Sequence, residues 1–98
     1  MFIKIHKSYR NIVAVCDSEL VGKSFEDGNK RLDVRESFYK DREIAEKELL
    51  ELMNDFARED AIFNIVGKKA VETALKAGII SKEGIKHVSN IPFALVLM

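Results

Sequence analysis

The residues best suited to holding an anion fall at two glycine–lysine steps. In Val21-Gly22-Lys23-Ser24 a glycine precedes a lysine and a hydroxyl, the order in which a phosphate-binding loop ends. The complete loop needs another glycine five positions before Gly22, so that successive backbone N–H groups can wrap a phosphate. Asp17 stands there, and Phe25-Glu26-Asp27-Gly28 is poor material for the helix that should follow. A nucleotide-binding loop is therefore excluded, and a strand end with a turn is left. Ile65-Val66-Gly67-Lys68-Lys69 is different, because an apolar run passes through glycine into a helical pattern. The N–H groups of a helix start are unpaired and attract anions. Lys68 and Lys69 oppose the helix dipole there, at roughly 0.3–1 kcal/mol each in low salt. A bound phosphate or carboxylate would reverse that sign, and so would acidic groups from elsewhere in the chain.

A second group of cations, Lys30, Arg31 and Arg35, lies close in sequence to Phe38 and Tyr39. Cations beside aromatic rings suit single-stranded RNA, the first holding phosphates and the second stacking bases. Asp33 would share a strand face with Arg31 and Arg35 and cancel part of their charge. The same pattern describes a salt-bridged edge strand whose charges block aggregation. A nucleophile–base pair could be drawn only from His6, Cys16, Asp17 and His87. Their spacing offers no third, orienting group, so no catalytic residue is assigned. Two histidines without a nearby carboxylate pattern make a poor metal site, and no metal or cofactor is expected.

Composition narrows the classes further. A chain of 98 residues fits one domain, residues 1–98, with 47% hydrophobic residues to fill one core. The lone cysteine, Cys16, forms no disulfide within the chain and fits a reducing compartment. The start, MFIKIHKSYR, carries charge too early for a secretory or mitochondrial leader. The uncharged run 88–98 is about half the length that spans a bilayer. A cytoplasmic protein with no membrane contact is the expectation. Sixteen basic and sixteen acidic groups cancel, yet residues 41–60 hold eight acidic groups against three basic. Glutamine and tryptophan are absent and lysine and glutamate dominate, a bias found in thermophile proteins.

These residues must be positioned by short elements. Ile3 and Ile5 alternate with polar neighbours, and Ile12 to Cys16 is a second β run, so a hairpin is predicted. A four-residue loop would pair Ile5 with Ala14 and Ile3 with Cys16. Leu20-Val21-Gly22 reads as a short strand, Glu26-Asp27-Gly28-Asn29 as a turn, and Leu32 and Val34 as part of an exposed strand. Apolar spacing predicts a helix over 42–58 with Asp41 as N-cap and an outer face rich in Glu43, Glu46, Glu48, Glu51 and Asp55. A strand over 61–66 follows, then a helix over 68–77 closed by Gly78. Ser81 to Gly84 reads as a turn, and 85–88 and 93–97 as strands flanking Asn90-Ile91-Pro92. The fold class is α+β, a small mixed or antiparallel sheet with two helices, in the order β-β-(β-β)-α-β-α-β-β.

Phe2-Ile3-Lys4-Ile5-His6, Val13-Ala14-Val15-Cys16-Asp17, Leu20-Val21-Gly22-Lys23 and Glu36-Ser37-Phe38-Tyr39 resemble an uncharacterised archaeal family, domain of unknown function 424. So do Phe63-Asn64-Ile65-Val66-Gly67 and Ile91-Pro92-Phe93-Ala94-Leu95-Val96-Leu97. The resemblance covers nearly the whole chain, with one departure: Lys40 stands where the family carries a glycine. It implies an archaeal cytosolic protein that keeps company with translation genes, and it supplies no catalytic residues. The leading expectation is a non-enzymatic binding module associated with RNA or the ribosome, using Gly67, Lys68, Lys69, Lys30, Arg31, Arg35, Phe38 and Tyr39. The alternatives are a protein–protein adaptor using the acidic helix or a strand edge, and a small enzyme with an anion pocket at Gly67.

Overall fold

A computed structural model describes residues 1–97. Strands β1 (Phe2–His6) and β2 (Ile12–Cys16) form a hairpin, and a 3-10 turn at Ser18–Leu20 leads into a second hairpin, β3 (Ser24–Asp27) and β4 (Lys30–Asp33). A one-turn helix α1 (Glu36–Tyr39), a two-residue strand β5 (Arg42–Glu43) and the long helix α2 (Glu46–Arg58) follow. Strand β6 (Ile62–Val66), helix α3 (Lys68–Ala77), β7 (Lys86–Val88) and β8 (Ile91–Leu97) complete the order. The fold is α+β, as expected, but it has three helices among the described residues where two were expected, and α1 and β5 interrupt the expected passage from β4 into the long helix. The main sheet runs β5-β1-β2-β6-β8-β7, and β3–β4 form a sheet of their own. Among the described residues only β2 and β6 are paired in parallel, and every other pairing is antiparallel.

The central strands are apolar on both faces because each face is covered. On one face Ile3, Val13, Val15, Phe63 and Ile65 pack with Leu49 and Met53 of α2 and Ala70, Val71 and Ala74 of α3. On the other, Ala14, Cys16 and Val66 pack with Leu20, Val34 and Tyr39, flanked by Phe2, Phe25, Phe38 and Phe93. The β3–β4 hairpin and α1 supply this second cover. Both covering layers come from the crossover between parallel strands β2 and β6, apart from α3.

Several local expectations hold. The 61–66 run is β6, and α3 spans Lys68–Ala77 and ends at Gly78 in the left-handed conformation, φ 76°. The N–H groups of Gly78 and Ile79 return to the carbonyls of Leu75 and Ala74, which closes the helix. The Glu26–Asn29 turn joins β3 to β4, with Gly28 at φ 66°.

Others are corrected. The first hairpin pairs Ile5 with Val13 and Ile3 with Val15, one residue away from the expected register. Because β2 is buried on both faces, its apolar pattern does not choose a register, and a five-residue loop, 7–11, sets it instead. Leu20 ends the 3-10 turn, its N–H donating to the Asp17 carbonyl at 3.0 Å, and is no strand. The long helix starts at Glu46, not near 42, and its N-cap is Ala45, not Asp41. Arg42 and Glu43 extend the sheet beside Ile3 and Phe2, and the N–H of buried Ile44 donates to the Met1 carbonyl. Edge pairing has overridden helical periodicity there. Lys40, at φ −100°, needs no glycine, and its ammonium sits 5.3 Å from the centre of the Phe2 ring.

Candidate functional site

The start of α3 is built around a single carboxylate. Parallel pairing sets Cys16 beside Val66, so the next residues, Asp17 and Gly67, meet where both strands end. The Asp17 N–H donates to the Val66 carbonyl at 3.0 Å. Its side chain turns into the helix start: Oδ1 accepts from the N–H of Ala70 at 2.8 Å and Oδ2 from the N–H of Lys69 at 3.1 Å. Asp17 is only 3% exposed. Gly67 holds φ 108° and ψ 158°, backbone that is essentially reserved for glycine. A Cβ on Gly67 would come within 2.4 Å of the Asp17 carboxyl carbon, so the close approach also demands glycine.

This corrects the expectation of a helix start awaiting an external anion. Two of the N–H groups at Gly67-Lys68-Lys69 and the following residue are already capped by the chain's own carboxylate. The exposed lysines Lys68 and Lys69 border a shallow cleft of about 310 Å³ with Asp17, Glu19, Leu20, Ile91 and Pro92. The reading of an enzyme with an anion pocket at Gly67 loses its motive with the same observation. Asp17 is the residue that sequence reasoning missed. Its only signal was an acidic side chain at the end of a β-branched run, and the partner lies 50 residues on in a strand whose parallel pairing is not written locally.

The β3–β4 hairpin carries a second cleft, about 210 Å³, lined by Gly22, Lys23, Ser24, Arg31, Asp33, Val34 and Arg35. Two backbone bonds close its floor, from Gly22 N–H to the Val34 carbonyl at 2.6 Å and from Val34 N–H to the Lys23 carbonyl at 2.9 Å. Ser24 Oγ donates to Asp33 at 2.6 Å, and Arg31 Nε donates to the same oxygen at 3.0 Å. The Ser24 hydroxyl, then Arg31, hold the Asp33 carboxyl below its usual range. Arg31 also bridges to Glu26, so its charge is committed on both sides. Lys23 and Arg35 are exposed and make no ion pair among the described residues. The cleft thus joins Arg31 and Arg35 of the predicted group and adds Lys23 and Ser24. Lys30 lies at the hairpin tip, exposed and outside the cleft.

The predicted aromatic pair is split. Phe38 is half-buried and stacks on His6, with ring centres 4.5 Å apart and planes 23° from parallel. His6 Nε2 donates to the Phe38 carbonyl at 2.8 Å, so the ring is held. Tyr39 is 6% exposed and edge-on to Phe38, and burial pushes its phenol up to about 12. Tyr39 is core and is not available to a base, contrary to expectation. Cys16 is buried, and burial pushes its thiol up to about 11. His6 pairs with Ile12 and Cys16 with Phe2, at opposite ends of the hairpin, roughly 13 Å apart along the strands.

Comparison with known proteins places the chain. A family model described as protein of unknown function (DUF424) matches residues 6–98. The chain belongs to that family. A solved crystal structure, described as an uncharacterized conserved protein from Methanopyrus kandleri, has the DUF424 chain's fold with a TM-score of 0.84. It is 19% identical and aligns over 98% of this chain and 90% of its own. None of the curated proteins matches the DUF424 chain. Among its described residues no helix is long and apolar enough to cross a membrane.

Proposed function

We propose that this protein is a non-enzymatic binding module for RNA, free or within the ribosome, that grips backbone phosphate in the β3–β4 cleft. The observation that carries this reading is that two exposed cations without an ion pair among the described residues, Lys23 and Arg35, line one cleft with Ser24, Asp33 and Arg31. A phosphate there would meet both cations, while Ser24 and Arg31 hold the Asp33 carboxylate, whose charge Arg35 also favours. Arg35 is also the residue from which α1 starts, and α1 presents the half-buried Phe38 ring stacked on His6. A base leaving the phosphate could stack on that exposed part. Net charge is zero, so attraction is local and the salt dependence is shallow.

The test is fluorescence anisotropy with single-stranded RNA, bulk tRNA and purified ribosomal subunits over a salt series. Two phosphate contacts predict a log–log slope of about −1.4 for a single strand. The Lys23→Glu, Arg35→Glu double variant should abolish binding. The Lys68→Glu, Lys69→Glu variant should leave most of it, and a larger loss there would move the contact to the start of α3. Absence of binding to every RNA at low salt, or binding indifferent to Lys23 and Arg35, would overturn the reading.

A further inference from the structure

Tyr9, in the loop 7–11 between β1 and β2, is 104% exposed, so its ring loses no surface to the fold. The loop itself is tied down. The Ser8 hydroxyl donates to the Arg10 carbonyl, Arg10 Nε to the Asp60 carbonyl at 2.9 Å, and the Ile62 N–H to the Asn11 carbonyl at 2.8 Å. The ring is therefore displayed from an ordered turn.

Its surroundings in the chain are cationic. Residues 1–16 hold Lys4, Lys7 and Arg10 and no acidic side chain. Lys7 is exposed and makes no ion pair among the described residues. Lys4 gives its ammonium to the Ser37 carbonyl of α1 at 2.8 Å and meets no carboxylate among the described residues. That bond, with the stacking of Phe38 on His6, lays α1 across β1. Arg35 stands one helical turn before Phe38, about 5 Å along the axis. Tyr9 stands three residues beyond His6, at most about 11 Å away. Arg35, Phe38, His6, Lys7 and Tyr9 thus follow one another from the β3–β4 cleft to the loop. Over segments 4–9 and 35–38, Glu36 is the acidic residue against the three cations Lys4, Lys7 and Arg35.

A ligand that matches this path carries repeated negative charge with flat rings between the charges. Nucleic acid does so where it is unpaired, because in a duplex the base faces are already stacked on one another. We infer that the RNA bound by this protein is an unpaired segment, with phosphate in the β3–β4 cleft and a base further along the strand stacked on Tyr9. The inference rests on the cleft as the phosphate site and adds the form of the RNA and a second anchor. Reaching both places takes roughly four nucleotides or more, the low end of the range for single-strand modules.

The chain has two tyrosines and no tryptophan, and Tyr39 is 6% exposed, so tyrosine emission that changes on binding reports Tyr9. A single-stranded RNA of about eight nucleotides should quench that emission. A duplex of the same sequence should bind more weakly and leave the emission unchanged. Tyr9→Leu should weaken single-strand binding about 5- to 150-fold, the range for one stacked base. Tyr9→Phe should keep the affinity, read by anisotropy of dye-labelled RNA, and lose the quenching. Both variants should keep the parent's far-ultraviolet circular dichroism, since the ring is outside the core. A dinucleotide, too short to span, should bind the parent and Tyr9→Leu alike. Binding that needs Lys23 and Arg35 yet is unchanged in Tyr9→Leu, or is as strong for the duplex, overturns this inference and leaves the cleft as a phosphate site. A parent that binds no RNA overturns both.

Discussion

Asp17 and Gly67 form one device made of two residues. The carboxylate replaces the missing cap of α3, and glycine makes room for it. Asp17→Ala should cost about 1–3 kcal/mol, from the loss of two charge-assisted hydrogen bonds at a buried helix start. Gly67→Ala should cost about 1–3 kcal/mol for its backbone conformation alone, and more because of the overlap with Asp17. Once Asp17 is alanine that overlap is gone. Urea unfolding of the two single variants and the double should therefore show coupling of about 0.5–3 kcal/mol, the double costing less than the sum. Full additivity would mean that the contact carries no energy. A second residue-scale prediction concerns alkali. Folding raises the Cys16 thiol from 9.0 to about 11 and the Tyr39 phenol from 10.0 to about 12, in both cases chiefly by burial. The unfolded chain therefore releases these protons first. Stability should be insensitive to these groups below pH 9.0 and fall as pH rises above it. In Cys16→Ala the onset should move up toward 10.0, where Tyr39 begins. Denaturant midpoints of both proteins on either side of pH 9.0 check this. Of the residue-scale features, Gly67 was legible as the break between a strand and a helix. Asp17 was not, because its partner is fixed by parallel pairing across the whole crossover.

The elements were legible where local chemistry decides them. Helix α3 has apolar spacing, a glycine before it and a glycine after it, and its bounds are those expected. Helix α2 has the same periodicity but an illegible start. Periodicity extends back through residues 42–45, yet Arg42 and Glu43 bond to β1, a partner set by tertiary contact. The consequence is a helix that begins without a side-chain cap, at Ala45, whose φ of −84° and ψ of 158° already suit one. Glu46 and Glu48 in the first turn offset part of that lack through the helix dipole. Ala45→Ser should stabilise the protein by about 0.5–2 kcal/mol, read as a higher denaturant midpoint with an unchanged slope. Asp41→Ala should be nearly silent, although Asp41 looked like the cap from sequence. Equal effects at the two positions would show that α2 starts earlier than Ala45. The acidic outer face of α2 is partly neutralised within the fold, by Arg42 on Glu48 at 3.0 Å and by Lys76 of α3 on Glu46 at 2.6 Å. Opposite charges at those positions were visible in the sequence; their pairing across elements was not.

At the scale of the molecule, the sequence pattern indicated the α+β class and most of the element order, missed α1 and β5, and left open which strands would neighbour which. The sheet order places β2 and β6 side by side at the centre, and that pairing sets Asp17 beside Gly67. The central parallel pair has a further consequence for how the chain matures. Its two strands are separated by the whole of residues 17–61, so the pair forms only after a long, entropically costly closure. Until then the face of the first hairpin that carries Ile3, Ile5, Val13 and Val15 waits without shelter. A nascent chain emerging from synthesis completes β2 before any of residues 17–61 exists, so its first hairpin precedes its central partner by that whole segment.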